Sequence, residues 1–321
     1  MMIFGQGAIR CHPYVLEEIA ATRTQNPAEA SVRFDNAFWN HVRFVLSNAA
    51  RALWLGLTAA RLVAVPGAPE LRRHIQQLTR LAAGFALAAD VAMLFLGGDL
   101  KRKEKLSGRL GDILSQLYIA STVLKRFEDD GRPQTDLPLA LWALEDCLNR
   151  IQDAFYGVFG NFPSRIAAWK MRFLVFPWGR VFNAPSDRRG HEVARLLLEP
   201  SQARDRLTAN MFLHKHEDDP VGRLELAMQA APAGEAVEAK IRNAGKAGVI
   251  SGLNEESRMA SALEKGIISA EEIAQYRRFS ALRRACIMVD DFPHDVGRMQ
   301  SAREPANVAE MGSIVSRKTA A

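Results

Sequence analysis

The residues best suited to binding chemistry are the aromatic and basic side chains concentrated between residues 165 and 180. This stretch contains four cations and no acid. Such a mixture suits a membrane interface, because rings settle at headgroup depth while cations meet acidic lipids. A helix that packs its rings on a helical core is the alternative. The candidate membrane or anion contacts are Trp169, Lys170, Arg172, Phe173, Phe176, Trp178 and Arg180.

A second basic cluster comprises Lys101, Arg102 and Lys103, in the stretch that opens a predicted helix. Cations at the start of a helix oppose its dipole, which favours an anionic partner such as a phosphate or a lipid headgroup. A solvated surface between two helices accounts for the same charges. We therefore treat the cluster as a candidate anion contact and keep both interpretations.

Three further motifs fail as active sites. Gly5-Gln6-Gly7 lacks the third glycine and the preceding strand of a dinucleotide loop. Cys11 and His12 are adjacent, and Pro13 suggests that they precede a helix, which favours a packing or capping role. Residues 214–219 mix histidines and acids in a pattern that suits a surface loop as well as a metal site. We assign no catalytic, cofactor-binding or metal residue.

Composition limits the function classes. The net charge of +6 favours anionic partners, but no nucleic-acid-binding module is recognisable, and nucleic acid is not expected as a partner. Three widely spaced cysteines in 321 residues argue against a disulfide framework and for a reducing, cytoplasmic location.

The apolar stretch 81–98 has Asp90 at its middle, a charge that costs about 2.5–3.5 kcal/mol at a bilayer centre. It is therefore predicted to be a buried helix rather than a membrane span.

Apolar residues recur at helical spacing along most of the chain, which predicts an all-α fold: a helical bundle followed by a second, smaller helical region. In the second region, Ser269 and Glu272 have the spacing of a capping box at a helix start. The predicted organisation is an entry segment at 1–30, a four-helix bundle at 31–163, an aromatic and basic segment at 164–185, a second helical region at 186–294 and a disordered tail at 295–321.

Four stretches, taken in order, resemble the C-terminal region of the large bacterial (FadE-type) acyl-CoA dehydrogenases of fatty-acid β-oxidation. They are MIFGQGAIRCHPYVLEE at 2–18, FWNHVRFVLSNAARALWLGLT at 38–58, GGDLKRKEKLSGRLGDILSQLYIASTVLKRFEDDG at 97–131 and LLLEPSQARDRLT at 196–208. The resemblance extends to about residue 293, and the stretch at 97–131 is its most specific part.

The resemblance implies FAD chemistry that converts an acyl-CoA to a trans-2-enoyl-CoA with a glutamate base. In the family that glutamate lies in a Glu-Gly motif just upstream of the segment matching residues 2–5, and this sequence has no such motif. No catalytic residue is therefore carried over, and FAD is not expected to bind this chain alone. The chain is expected to be a C-terminal portion whose partners are N-terminal dehydrogenase domains, with acyl-CoA bound only in the full-length context.

By the same resemblance, this region contributes to subunit association, including a homodimer, and to attachment at the cytoplasmic face of the inner membrane. The competing hypothesis is an independent all-helical adaptor that binds a membrane surface or a partner protein. A dehydrogenase core encoded directly upstream in the DNA would favour the first interpretation, and its absence would favour the second.

Overall fold

The computed structural model describes residue 7, residues 12–214 and residues 216–288, and these residues form helices without a β-strand. The all-α prediction is confirmed. The helices are α1 (Val15–Ala21), α2 (Pro27–Leu57), α3 (Arg72–Leu96), α4 (Glu104–Asp129), α5 (Leu137–Asn161), α6 (Arg165–Val175), α7 (Asp187–Leu198), α8 (Gln202–Thr208), α9 (Pro220–Lys246), α10 (Glu255–Glu264) and α11 (Ala270–Ile287).

Some of the predicted features lie outside the described residues. They are the Gly5-Gln6 pair, Cys11 and the tail at 295–321.

The chain divides into two compact units, the first formed by Met1–Leu197 with Ser201–Arg204 and the second by the remaining residues. The predicted second helical region begins at residue 186, and in the structure α7 as far as Leu197 belongs to the first unit. An ion pair between Arg189 and Glu145, at 3.1 Å, ties α7 to α5.

The core of the first unit lies between the long helices α2 to α5 and the shorter α6. Helices α4 and α5 form the most extensive pair, because each has an apolar stripe at helical spacing to bury. Leu110 and Ile113 of α4 meet Leu144, Ile151 and Phe155 of α5 in this core, and all five side chains are fully buried. The apolar periodicity that identified these helices in the sequence is therefore the face that the bundle buries.

Specific end signals set the helix boundaries. Pro27 occupies the first turn of α2, and the side chain of Asn26 accepts a hydrogen bond from the N–H of Ala28 at 3.1 Å. The turn before α3 needs Gly67 at a φ of 107°, a conformation that residues with a Cβ rarely adopt. There the carboxylate of Glu128 accepts the N–H of Ala68 at 2.6 Å, which joins this turn to the end of α4.

Helix α6 approaches α3 closely because α3 carries a glycine at the crossing. A Cβ built on Gly84 would lie 2.7 Å from Cγ1 of Val175, which is shorter than real contacts allow. Val175 is itself 1% exposed. The small residue on α3 thus allows the last turn of α6 to enter the core.

Asp90 lies within the apolar stretch 81–98, and it is only 4% exposed. By length and composition Pro69–Lys101 could cross a membrane, and 44% of its most apolar window is buried inside the protein. Within the first unit, Asp90 accepts a hydrogen bond from Asn48 Nδ2 at 3.0 Å and contacts His12 Nε2 at 3.2 Å. This helix therefore packs a bonded carboxylate against α2 and the segment before α1.

The second unit pairs α9 with α11 and adds α10, around a small core that includes Val237, Met259 and Phe279. The predicted capping box is confirmed: Ser269 Oγ accepts from the N–H of Glu272 at 3.2 Å, and Glu272 accepts from the N–H of Ser269 at 2.9 Å. These reciprocal bonds satisfy two backbone donors at the start of α11.

Candidate functional site

The aromatic and basic segment begins with α6, which divides into an inner and an outer face. Ser164 caps this helix by accepting from the N–H of Ala167 at 3.3 Å. Small and flexible side chains, including Met171, face the core. On the outer face, Ile166 is 70% exposed, Trp169 64% and Phe173 49%. The rings of Trp169 and Phe173 stack with centroids 6.0 Å apart, so the helix presents a continuous apolar strip. We call Ile166, Trp169 and Phe173 the α6 strip.

Phe176 requires a correction, because it was grouped with the contact residues and the structure buries it. It is 2% exposed and packs edge-on against the ring of Phe155, with centroids 5.6 Å apart. Helix α6 ends at Val175, and Phe176 has a φ of −125° and a ψ of 64°. This non-helical conformation turns the ring into the core, so Phe176 is no part of a surface.

The remaining candidates on this segment stay at the surface, but they are not all free. Trp178 is 67% exposed, and its Nε1 donates to the carbonyl of Leu57 at 3.1 Å. Arg180 forms an ion pair with Asp153 on α5, an acid that the local sequence does not contain. The guanidinium of Arg172 lies 5.9 Å from the ring centroid of Tyr156. Lys170 is exposed and has no acidic partner among the described residues.

The second basic cluster lies on a different element, a 3-10 turn over Gly97–Lys101 that leads into α4. Lys101, Arg102 and Lys103 are all exposed. Arg102 pairs with Asp99 at 3.4 Å, while the two lysines have no acidic partner in the part of the chain that the structure describes. Lys103 is the residue before the first turn of α4 and makes no side-chain cap there. The cluster is an exposed cationic turn, and both of its interpretations are compatible with that exposure.

A buried polar group that the sequence patterns did not predict lies between α1, α2 and α3. His12 Nδ1 accepts the backbone N–H groups of Tyr14 and Val15, at 3.2 and 3.1 Å, so it caps the start of α1 as predicted. Because Nδ1 accepts, the proton of the neutral ring resides on Nε2 and is donated to Asp90 at 3.2 Å. Burial lowers the pKa of His12, although Asp90 acts in the opposite direction.

His41 completes this group. Its Nδ1 lies 2.8 Å from Glu18, and its ring centroid lies 4.5 Å from that of His12. Ligand-type atoms of His12, His41 and Asp90 all lie within 4.8 Å of one another, a spacing that metal sites share. A metal bound at His12 Nε2 would, however, require the ring proton to be on Nδ1. There it would face the backbone N–H donors of Tyr14 and Val15, and both hydrogen bonds would be lost. The donor set therefore fits an internal hydrogen-bonded anchor better than a metal centre.

Comparison with known proteins identifies the family. No solved structure matches the chain. The family described as "Acyl-CoA dehydrogenase, C-terminal, bacterial type" matches residues 9–292, which covers most of both units. This confirms the resemblance that four separate stretches of the sequence indicated. The chain therefore belongs to the bacterial-type acyl-CoA dehydrogenase C-terminal domain family.

Proposed function

We propose that this chain is the helical C-terminal portion of an FAD-dependent acyl-CoA dehydrogenase and holds that enzyme on an anionic membrane surface. The dehydrogenase would form a trans-2-enoyl-CoA, in the first step of fatty-acid β-oxidation. Membership in the C-terminal domain family supports the first half of the proposal. In this assignment flavin and catalytic base belong to N-terminal dehydrogenase domains, which are the partners of the chain.

The α6 strip is the observation that carries the membrane half of the proposal. Its exposed aromatic and aliphatic side chains lie beside Lys170, a cation for which the described residues offer no acidic partner. Trp178 extends the apolar surface toward the end of α2, where Trp54 and Leu57 are 57% and 45% exposed. Rings and aliphatic groups next to cations match the boundary between acyl chains and acidic headgroups.

Co-sedimentation with vesicles tests this role. The chain is expected to pellet with vesicles of phosphatidylglycerol and phosphatidylcholine, and far less with phosphatidylcholine alone. A variant carrying Ile166→Ser, Trp169→Ser and Phe173→Ser removes the α6 strip without altering a buried side chain. It is expected to stay in the supernatant.

A matched control replaces exposed apolar residues on another helix. Tyr118 and Ile119 of α4 are 70% and 44% exposed, and the variant Tyr118→Ser/Ile119→Ser should pellet like the unaltered chain. Equal loss in both variants would show that general hydrophobicity, not the α6 strip, drives pelleting. Unchanged pelleting of the α6 strip variant would contradict the membrane role. If that variant pellets normally but changes its oligomeric state, the strip is assigned to subunit association.

A further inference from the structure

A cavity of about 420 Å³ lies in the first unit, between the end of α2, the start of α3 and the segment that follows α6. Its size is within the range of small-ligand sites. Exposed Arg61 and Trp178 are among the lining residues, so the cavity is reachable from the surface. The walls combine apolar side chains, Leu148 and Phe182 among them, with an unusual number of cations.

Arg80 is the most unusual lining residue, because it is 2% exposed and has no carboxylate partner among the described residues. Its Nη2 donates to the carbonyl of Val175 at 3.0 Å, and its guanidinium lies 5.4 Å from the ring centroid of Phe176. Nε has no hydrogen-bond partner. A buried cation without a counter-ion is costly. An anion bound in the cavity would offset this cost by balancing the charge of Arg80.

Two further arginines add positive charge to the same cavity. Arg73 donates to the carbonyl of Ala59 at 2.7 Å, and Arg61 has no acidic partner in the described chain. Ala59 and Ala60 both adopt positive φ angles, 49° and 57°, which are strained for residues other than glycine. The strained turn thus supplies the carbonyl that holds Arg73 and leads directly into Arg61, and such strain is concentrated at functional sites.

The single acid of the cavity wall does not neutralise these charges. Glu145 pairs with Arg189 at 3.1 Å, so its charge is already matched. The pKa of Arg80 is lowered to about 10, first by burial and then by the charge of Arg73. Burial and the cations of Arg189 and Arg73 lower the pKa of His74, whose buried Nδ1 has no partner. Positive potential therefore accumulates in the cavity.

We propose that this cavity binds a phosphate group, held by Arg61 and Arg73 against the fixed charge of Arg80. Guanidinium groups match phosphate oxygens in geometry and charge. The phosphate could come from a free phosphorylated molecule or from a lipid headgroup, and the same chemistry serves both. This site lies on residues other than the α6 strip, and it stands independently of the proposed membrane role.

Thermal unfolding of the full chain in inorganic phosphate, compared with chloride at equal ionic strength, tests the site. Ligand binding to the folded state should raise the melting temperature by at least about 2 °C at saturating phosphate. Arg61→Gln, at an exposed residue, should fold normally and weaken phosphate binding about tenfold. Arg61→Gln/Arg73→Gln should abolish the phosphate effect. Arg72→Gln changes an exposed neighbour that does not line the cavity, and it should leave the effect intact.

Vesicles distinguish the two sources of phosphate. With phosphatidic acid in phosphatidylcholine, a headgroup site predicts that Arg61→Gln reduces pelleting and that inorganic phosphate competes. A site for a free molecule predicts stabilisation by phosphate and unchanged pelleting. The proposal is overturned if phosphate and chloride give equal melting temperatures, or if Arg61→Gln and Arg72→Gln respond alike. The α6 strip variant should keep the phosphate effect, which separates failure of this proposal from failure of membrane binding.

Discussion

The side chain of Gln152 on α5 holds the backbone of Phe182 through both of its polar atoms. Nε2 donates to the carbonyl of Phe182 at 2.8 Å, and Oε1 accepts its N–H at 3.0 Å and that of Val181 at 2.7 Å. Gln152 is fully buried. This amide therefore fixes the segment that returns from α6 across the bundle, and with it one wall of the arginine-lined cavity.

Replacing Gln152 with leucine should destabilise the first unit. The substitution keeps the approximate volume but leaves two N–H groups and one carbonyl without partners, at a cost of about 1–3 kcal/mol in the free energy of unfolding. Urea unfolding measures this change. Gln134→Leu, at an exposed position, should alter the free energy by less than about 0.5 kcal/mol. Equal stability of the two variants would mean that the Gln152 bonds contribute nothing.

Gly84→Ala should also destabilise, although alanine favours helices. The new Cβ would meet Cγ1 of Val175 at 2.7 Å, and a β-branched side chain in a packed core cannot move aside easily. Overpacking of this kind costs about 1–3 kcal/mol. Gly111→Ala on α4, where nothing lies within 4 Å, should instead stabilise by up to about 1 kcal/mol. A gain of stability in both variants would contradict the close contact between α3 and α6 at Gly84.

His12→Gln should reduce stability by an amount that depends on pH. Burial lowers the pKa of His12 below its ordinary value of 6.5, so the unfolded chain binds more protons as the pH falls through that value. The contribution of His12 is thus complete above pH 6.5 and declines below it. Unfolding of both proteins at pH 7.5 and pH 5.5 measures the difference, which should shrink at the lower pH. A difference that grows on acidification would show a protonated His12 paired with Asp90.

The dehydrogenase role predicts that this chain provides membrane attachment while the core provides the chemistry, and activity measurements can separate the two. The chain, added to a flavin-loaded acyl-CoA dehydrogenase core of the same family, should raise the fraction of activity that sediments with anionic vesicles. Enoyl-CoA formation per flavin should remain unchanged, because the chemistry belongs to the core. Enoyl-CoA formation by this chain without the core would contradict the assignment.

Local features of this fold were predictable from the sequence because their physics is local. Apolar residues at helical spacing predicted an amphipathic helix, and Leu110 and Ile113 of α4 are buried as that pattern requires. The spacing of Ser269 and Glu272 predicted the cap of α11. The burial of Phe176 was not predictable in this way. Helical periodicity places a side chain only while the helix continues, and α6 ends one residue earlier.

The sequence patterns did not predict the long-range polar contacts. Arg80 meets the carbonyl of Val175 from 95 residues away, and His12 meets Asp90 from 78 residues away. Composition indicated a preference for anionic partners, but it could not show which of the basic residues would be buried without an acid. The packing of α3 against α6 shows that Arg80 is buried with no acidic partner in the part of the chain that the structure describes.

Fluorescence of Trp169 tests the central claim, that the α6 strip faces lipid, most directly. The chain has five tryptophans, and changing Trp39, Trp54, Trp142 and Trp178 to phenylalanine leaves Trp169 as the sole reporter. Phosphatidylglycerol vesicles should shift its emission to shorter wavelength, and brominated acyl chains should quench it. Emission that neither shifts nor is quenched, while the chain pellets with the vesicles, would contradict the membrane role of the α6 strip.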